Sequence, residues 1–377
     1  MRVCSLASVQ NCIELGQPLQ FSVRDEGRLL LLAKGQVIAD QRQLEDLFRR
    51  GALVEADELV GLVPVARRGT PPQRPAALSR AWDRCAQDMR QLFNTEPAAL
   101  AEAIDGATDE LLGLIQAAPA LALSRVVRQP SSGGGHYGVR HSIHAATACQ
   151  AAARFLGWSD SDQRRAFQAA LTMNIAMVDL QARLATQVSP LTARQREAIH
   201  EHPHRGAQML ADAGIRDEAW LQAVRLHHEL PDGSGYPAGT SERSELAEML
   251  RFADVYTARL SDRADRPAIS ARQAGRELHQ MAAASPLAGA LIKAFGIFPP
   301  GSVVRLVSGE MGIVVRNGEK AYHPHVAILT TATGEPRLSP KLADTSRDSH
   351  AVSALLPAHA MPMLISEETI AGLIAAA

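Results

Sequence analysis

The sequence predicts a mainly α-helical protein: a helical bundle in the middle, a small mixed α/β, β-rich domain ahead of it, and a small β appendage behind it. Three observations carry this. From Ser79 to about Phe295 apolar residues recur at three- and four-residue steps, the helical period. Aromatic residues are only 4% of the chain while alanine is abundant, which favours closely packed helices over a β-sandwich. After "FGIFPPG" the pattern changes to the β-branched-rich runs "SVVRLV", "MGIVVRN" and "HVAILTT".

Taken in order, residues 1–66 read as the small domain. "PLQFSV" and "RLLLLA" flank the turn-like "RDEG" and predict a hairpin. "QRQLEDLFRRG" places Leu44, Leu47 and Phe48 at helical spacing, with Gly51 as its stop. The Pro- and Arg-rich stretch 67–78 reads as a linker. The helical domain spans 79–298, with "DMRQLF", "AALAEAI" and "ELLGLIQ" first and the glycine run "SSGGGHYG" (131–138) interrupting. Helices are expected over about 139–156, 160–180, 192–213, 217–228, 244–261 and 270–283. Thr192 with Gln195, and Ser270 with Gln273, have capping-box spacing. Residues 299–377 hold the β appendage, with "NG" at 317–318 as a hairpin turn signal, and a short C-terminal helix from Glu367.

The formal net charge of −1 gives no bulk attraction to DNA or an anionic membrane. No apolar run reaches the roughly 18 residues of a membrane span, and the N-terminus lacks a signal-peptide core. The four cysteines, Cys4, Cys12, Cys85 and Cys149, form no C-x-x-C pair and fit a reducing compartment, so a cytoplasmic location is expected.

Chemistry points to the histidines. His136, His141, His144, His200, His202, His204, His227, His228 and His279 all fall in the helical region. A single helical histidine is commonly a core or surface residue. The adjacent pair His227–His228 is more telling, because neighbouring helix positions diverge by about 100° and suit two sides of a metal centre. The turn that follows has glycines at 233 and 235, which permit positive φ and close backbone approach. Tyr236 supplies a face for a guanine or a partner, and Pro237 fixes the exit.

"HHELPDGSGYP" (227–237) resembles the signature of the HD-GYP proteins, helical members of the HD superfamily that hydrolyse cyclic di-GMP. "RHSIHAA" (140–146), "SPLTARQREAIHEHPHRGAQML" (189–210) and "RFADVYTARLSDR" (251–263) are similar to the family's other segments in order and spacing. The likeness covers about 120–318. It implies metal ligands at His141, His202, His227, His228 and Asp254, with iron or manganese as the usual ion, and a phosphate contact at Arg263. The defining "LLHDIGK" is absent, and "LTMNIAM" (171–177) stands in its place. Met173 replaces the histidine ligand, Asn174 the bridging aspartate and Met177 the phosphate-contacting lysine. Tyr137 falls where trinuclear members carry a further glutamate, and Asp265 replaces a tyrosine.

A bridging carboxylate holds two cations roughly 3.5–4 Å apart for hydrolysis. Asn offers one neutral oxygen and a donor amide, and a thioether is a soft ligand for Mn(II) or Fe(II). The resemblance therefore implies a catalytically degenerate HD-GYP protein: a cyclic di-GMP receptor or a protein-interaction module, with a GGDEF-type domain as one partner. A phosphodiesterase with an altered metal site and a nucleotide-independent scaffold remain open. No cofactor is expected; if one is held, it is a single Fe, Mn or other divalent ion at low occupancy. The loop Asp232, Gly233, Gly235, Tyr236, Pro237, with Arg263, is where a ligand or partner is expected to bind.

Overall fold

The computed structural model describes residues 3–6, 13, 16–19, 21–25, 27–50, 52–55, 58, 75–129, 136–282 and 285–377. Cys12, Gly51, the expected linker over 67–74 and the glycines of 131–135 lie outside them. The chain divides into two units, Met1–Arg74 and Pro75–Ala377.

In the first unit β1 (Val3–Ser5), β2 (Val23–Arg24), β3 (Leu30–Leu32) and β4 (Leu53–Glu55) form an antiparallel sheet in the order β1-β4-β2-β3. The β2–β3 turn is held by Asp25, whose carboxylate accepts from the Leu29 amide at 2.8 Å. Helix α1 (Gln41–Arg49) starts at Asp40, which caps it by accepting from the Gln43 amide at 2.8 Å. Leu44 and Leu47 of α1 pack on Phe21, Val23, Ile38 and Val54.

The second unit opens with α2 (Pro75–Leu92), four residues inside the segment expected as a linker. Proline is tolerated in the first helical turn, where its missing N–H has no intrahelical partner to lose. Then come α3 (Pro97–Ala117), α4 (Pro119–Val127) and α5 (Tyr137–Phe155). α5 is the hub of the bundle. Ala145, Ala146, Ala148, Ala152 and Ala153 are buried, and their small side chains admit neighbouring helices closely. Those neighbours include α6 (Asp160–Thr172), α10 (Glu245–Arg259) and α12 (Pro286–Phe295); α8 (Ala193–Asp212), α9 (Glu218–Leu226) and α11 (Ala271–Met281) complete the bundle.

The single helix expected over 160–180 is in fact two. α6 ends at Thr172, a 3-10 turn covers Ile175–Met177, and α7 (Val178–Thr186) follows. Asn174 (φ −105°, ψ 13°) and Met177 (φ −137°, ψ 15°) leave the helical region. The cause is tertiary. A Cβ on Gly138 would lie 2.3 Å from the Val178 carbonyl oxygen, so the start of α7 rests directly on the first turn of α5. A straight α6 would not reach that contact.

The C-terminal sheet has the order β8-β7-β6-β5-β9, all antiparallel: β5 (Val303–Leu306), β6 (Met311–Arg316), β7 (His325–Thr330), β8 (Pro336–Asp344) and β9 (Val352–Leu356). It extends past the three runs singled out from sequence, through β8 and β9. "NG" opens the loop 317–324 instead of forming a two-residue turn; the Asn317 side chain donates to the Ala294 carbonyl at 3.3 Å. One sheet face buries Val304, Val314, Val326 and Ile328, and the other buries Ile313 and Leu329 against Met361 and Ile370. Helix α13 (Glu367–Ala375) carries Ile370 and, through Ala371, meets Leu78 and Leu121 of the bundle.

Cys85 and Cys149 are free and buried. Among the described residues no single helix is long and apolar enough to cross a membrane.

Candidate metal and ligand site

Three histidines converge behind the α8–α9 contact. His202 lies within α8, His227 follows the last turn of α9, and His228 is next in the chain. One ring nitrogen from each lies within 4.8 Å of the others. The His202 Nδ1–H donates to the Ile199 carbonyl at 2.6 Å, and the His227 Nδ1–H to the Val224 carbonyl at 2.7 Å. A carbonyl oxygen only accepts, so in both neutral rings Nδ1 carries the proton. The two Nε2 lone pairs then face each other at 3.3 Å. They cannot hydrogen-bond unless one ring becomes a cation, and burial opposes that: it pushes His202 down to about 3 and also lowers His227 and His228. Opposed lone pairs with backbone-fixed Nδ1–H groups are what a shared cation relieves, so the donor set fits one metal ion.

His141 of α5 and Asp254 of α10 form a second pair, Nε2 to Oδ1 at 2.6 Å. Burial would raise the Asp254 carboxyl, but the hydrogen bond and charge of His141, helped by His228 and His227, hold it well below the usual range. Among the described residues, His141 Nδ1 is buried without a hydrogen-bond partner. Tyr137, where a trinuclear site would want a carboxylate, lies stacked on the His141 ring with centroids 5.9 Å apart.

An open cavity of about 430 Å³ lies over these groups. Of the residues singled out from sequence, its wall holds His141, Asn174, Met177, His228, Tyr236, Asp254, Arg263 and Asp265. His202 and His227 are not in the wall; both are buried at 1% and 0% exposure. The Arg263 guanidinium lies 5.0 Å from the Tyr137 ring centre. Met173 is fully buried in the main core. Asn174 is buried too, and its side-chain nitrogen has no hydrogen-bond partner among the described residues. Asp179 is exposed, pairs with His136 at 2.9 Å and lines a different cavity, so it does not stand in for the missing aspartate.

The loop expected to bind a ligand contributes one side chain to this wall, Tyr236. Its ring stacks on His228 at 4.5 Å and on His200 at 5.5 Å. Asp232 points elsewhere, accepting from the Ser234 amide at 3.0 Å and its hydroxyl at 2.6 Å. Gly233 has the positive φ (72°), while Gly235 does not: it is needed for close approach, since a Cβ there would meet the His228 carbonyl oxygen at 2.5 Å. The Tyr236–Pro237 bond is cis.

Two contributors escaped the sequence reading. Glu229 is buried and accepts from the Ala238 amide at 2.7 Å and the Thr240 amide at 3.0 Å, which folds the loop back over the histidines. Its place beside the histidine pair was the available signal. Gln181 lines the cavity and is buried, and its side-chain oxygen has no partner among the described residues; nothing in its spacing marked it.

An HD domain family profile matches residues 118–286. The chain is 30% identical over 260 residues to a cyclic di-GMP phosphodiesterase from Pseudomonas aeruginosa, which covers 66% of this chain and 62% of that protein. The chain thus spans about 62% of the length of this curated relative. A solved structure of a HDG"Y"P protein from Bdellovibrio bacteriovorus is similar with a TM-score of 0.48 and 16% identity, over 77% of this chain and 97% of that one. The helical bundle with its histidine cluster is an HD domain. Outside residues 118–286 the likeness rests on the cyclic di-GMP phosphodiesterase, to which the chain is similar over 260 residues.

Proposed function

We propose that the helical domain is a cyclic di-GMP receptor that does not hydrolyse its ligand, acting in bacterial second-messenger signalling in the cytoplasm. The observation that carries this is the pairing of a retained cavity with buried Met173 and Asn174 at the positions of the hydrolytic motif. The cavity keeps an aromatic face in Tyr236 and a cation in Arg263, the groups that suit a guanine and a phosphodiester. A neutral amide cannot bridge two cations, so the second metal of a two-metal hydrolysis has no anionic anchor there. Likeness to a cyclic di-GMP phosphodiesterase supports the choice of ligand. Tyr236, beside the exposed part of its loop, would also suit a protein partner such as a GGDEF-type domain.

His202, His227 and His228 would hold one divalent ion, iron or manganese, with His141 and Asp254 beside them. Bound there, the ion supplies positive charge toward a phosphodiester. Arg263 shares that task from the opposite chain segment, and Tyr236 shields His228 from water by stacking.

Calorimetric titration of the purified protein with cyclic di-GMP tests the proposal. Binding is expected, weakened about tenfold or more by Arg263→Ala. Metal content is expected to fall in His202→Ala. Cyclic di-GMP turnover with Mn or with anaerobic Fe, abolished by His228→Ala, would instead establish a phosphodiesterase with an altered metal site. No binding would leave a nucleotide-independent scaffold.

A further inference from the structure

A second cavity, of about 540 Å³, lies on the other side of the 3-10 turn, and Met177 lines both. Its rim carries four arginines: Arg90 of α2, Arg183 of α7, and Arg194 and Arg205 of α8. None of their guanidinium groups has an ion-pair or hydrogen-bond partner among the described residues. The wall's carboxylate, Asp179, is engaged by His136 at 2.9 Å. In a chain of net charge −1, four arginines against the one carboxylate of the wall leave a local excess of positive charge. The floor is different in kind: Phe93, half-buried, with Ile175 and Leu180, offers an apolar surface that includes one aromatic ring.

We propose that this cavity is a second ligand site, for a nucleoside phosphate, separate from the one above the histidines. Guanidinium forks match phosphate oxygens in pairs, and the Phe93 floor suits the face of a base. The volume lies within the range of small-ligand pockets and is too confined for a duplex or a folded domain. The cavity also receives the first turns of α7 and α8, whose amide ends add to the positive potential that the arginines set up. Met177 lines both cavities, so the two sites are neighbours with distinct walls.

Titrating the full chain with ADP, GDP and inorganic pyrophosphate tests this. At least one nucleotide should bind, at least about tenfold more tightly than pyrophosphate, and more weakly as salt rises. The double variant Arg183→Ala with Arg194→Ala, both exposed, should lose about tenfold or more in affinity, and His228→Ala, in the other cavity, should keep it. Three results would overturn the assignment: no nucleotide binding at about 1 mM, affinity equal to that of pyrophosphate, or affinity lost in His228→Ala and retained in the arginine variant. None of these bears on cyclic di-GMP binding, which is read with Arg263→Ala.

Discussion

Glycine contacts separate residues that are fixed by packing from residues that merely occupy space. Gly235 is enclosed by backbone: an added Cβ would lie 2.5 Å from Glu229 Cα, from the His228 carbonyl oxygen and from the Leu230 amide nitrogen. None of these can rotate away, so Gly235→Ala must displace the loop and with it Tyr236. The expected cost is about 1–3 kcal/mol, seen as a lower thermal midpoint, together with weaker ligand binding. Gly289, in α12, has nothing within 4 Å of its added Cβ. Gly289→Ala should therefore be neutral or stabilising by up to about 1 kcal/mol, because alanine restricts the unfolded chain and favours helix. Equal losses in the two variants would contradict this account. Of the two reasons that the sequence offers for glycine at 235, positive φ and close backbone approach, the second is the one that holds there.

Among elements, the α6–α7 break shows what a periodic reading reaches and where it stops. Leu171, Ile175 and Val178 keep a helical spacing of apolar residues straight through the interruption, so the pattern alone predicts one helix. The contact that bends the chain joins Val178 to Gly138, forty positions earlier by number, and no local pattern encodes it. The convergence of His202, His227 and His228 was legible for the opposite reason: these histidines lie in two short segments whose spacing is read directly from the sequence. Thr172 ends α6 and holds the break in place. Its hydroxyl donates to the Gln168 carbonyl at 2.8 Å and accepts from the Trp220 indole N–H at 3.0 Å. Thr172→Val keeps the shape and removes the acceptor, leaving a buried N–H unpaired, at a cost of about 1–3 kcal/mol. Denaturant unfolding measures it, and an unchanged midpoint would show that the indole finds another acceptor.

For the whole molecule, the buried histidines set the response to acid. His144 and His202 are pushed down to about 3, chiefly by burial, and His227 and His228 are lowered by the same cause. In the unfolded chain each titrates near 6.5. Between about pH 3 and 6.5 the unfolded state therefore binds more protons than the folded one, and stability rises with pH across that window. Their contribution is complete above the unfolded value and is lost as pH falls toward the folded one, by at most about 1.4 kcal/mol per pH unit for each histidine. Asp254, held low by His141, acts in the same direction but only below the ordinary carboxylate range. A cation on His202, His227 and His228 would steepen the dependence, because protons compete for the same nitrogens. All three tryptophans, Trp82, Trp158 and Trp220, belong to the second unit, so their emission follows the unfolding of that unit. The urea midpoint read this way should be lower at about pH 5.5 than at about pH 7.5. His144→Leu removes one buried titrating ring whose Nδ1 has no partner among the described residues, so the gap between the two midpoints should narrow. A midpoint that holds or rises at the lower pH would mean that these rings are already charged, or already exposed, in the folded protein.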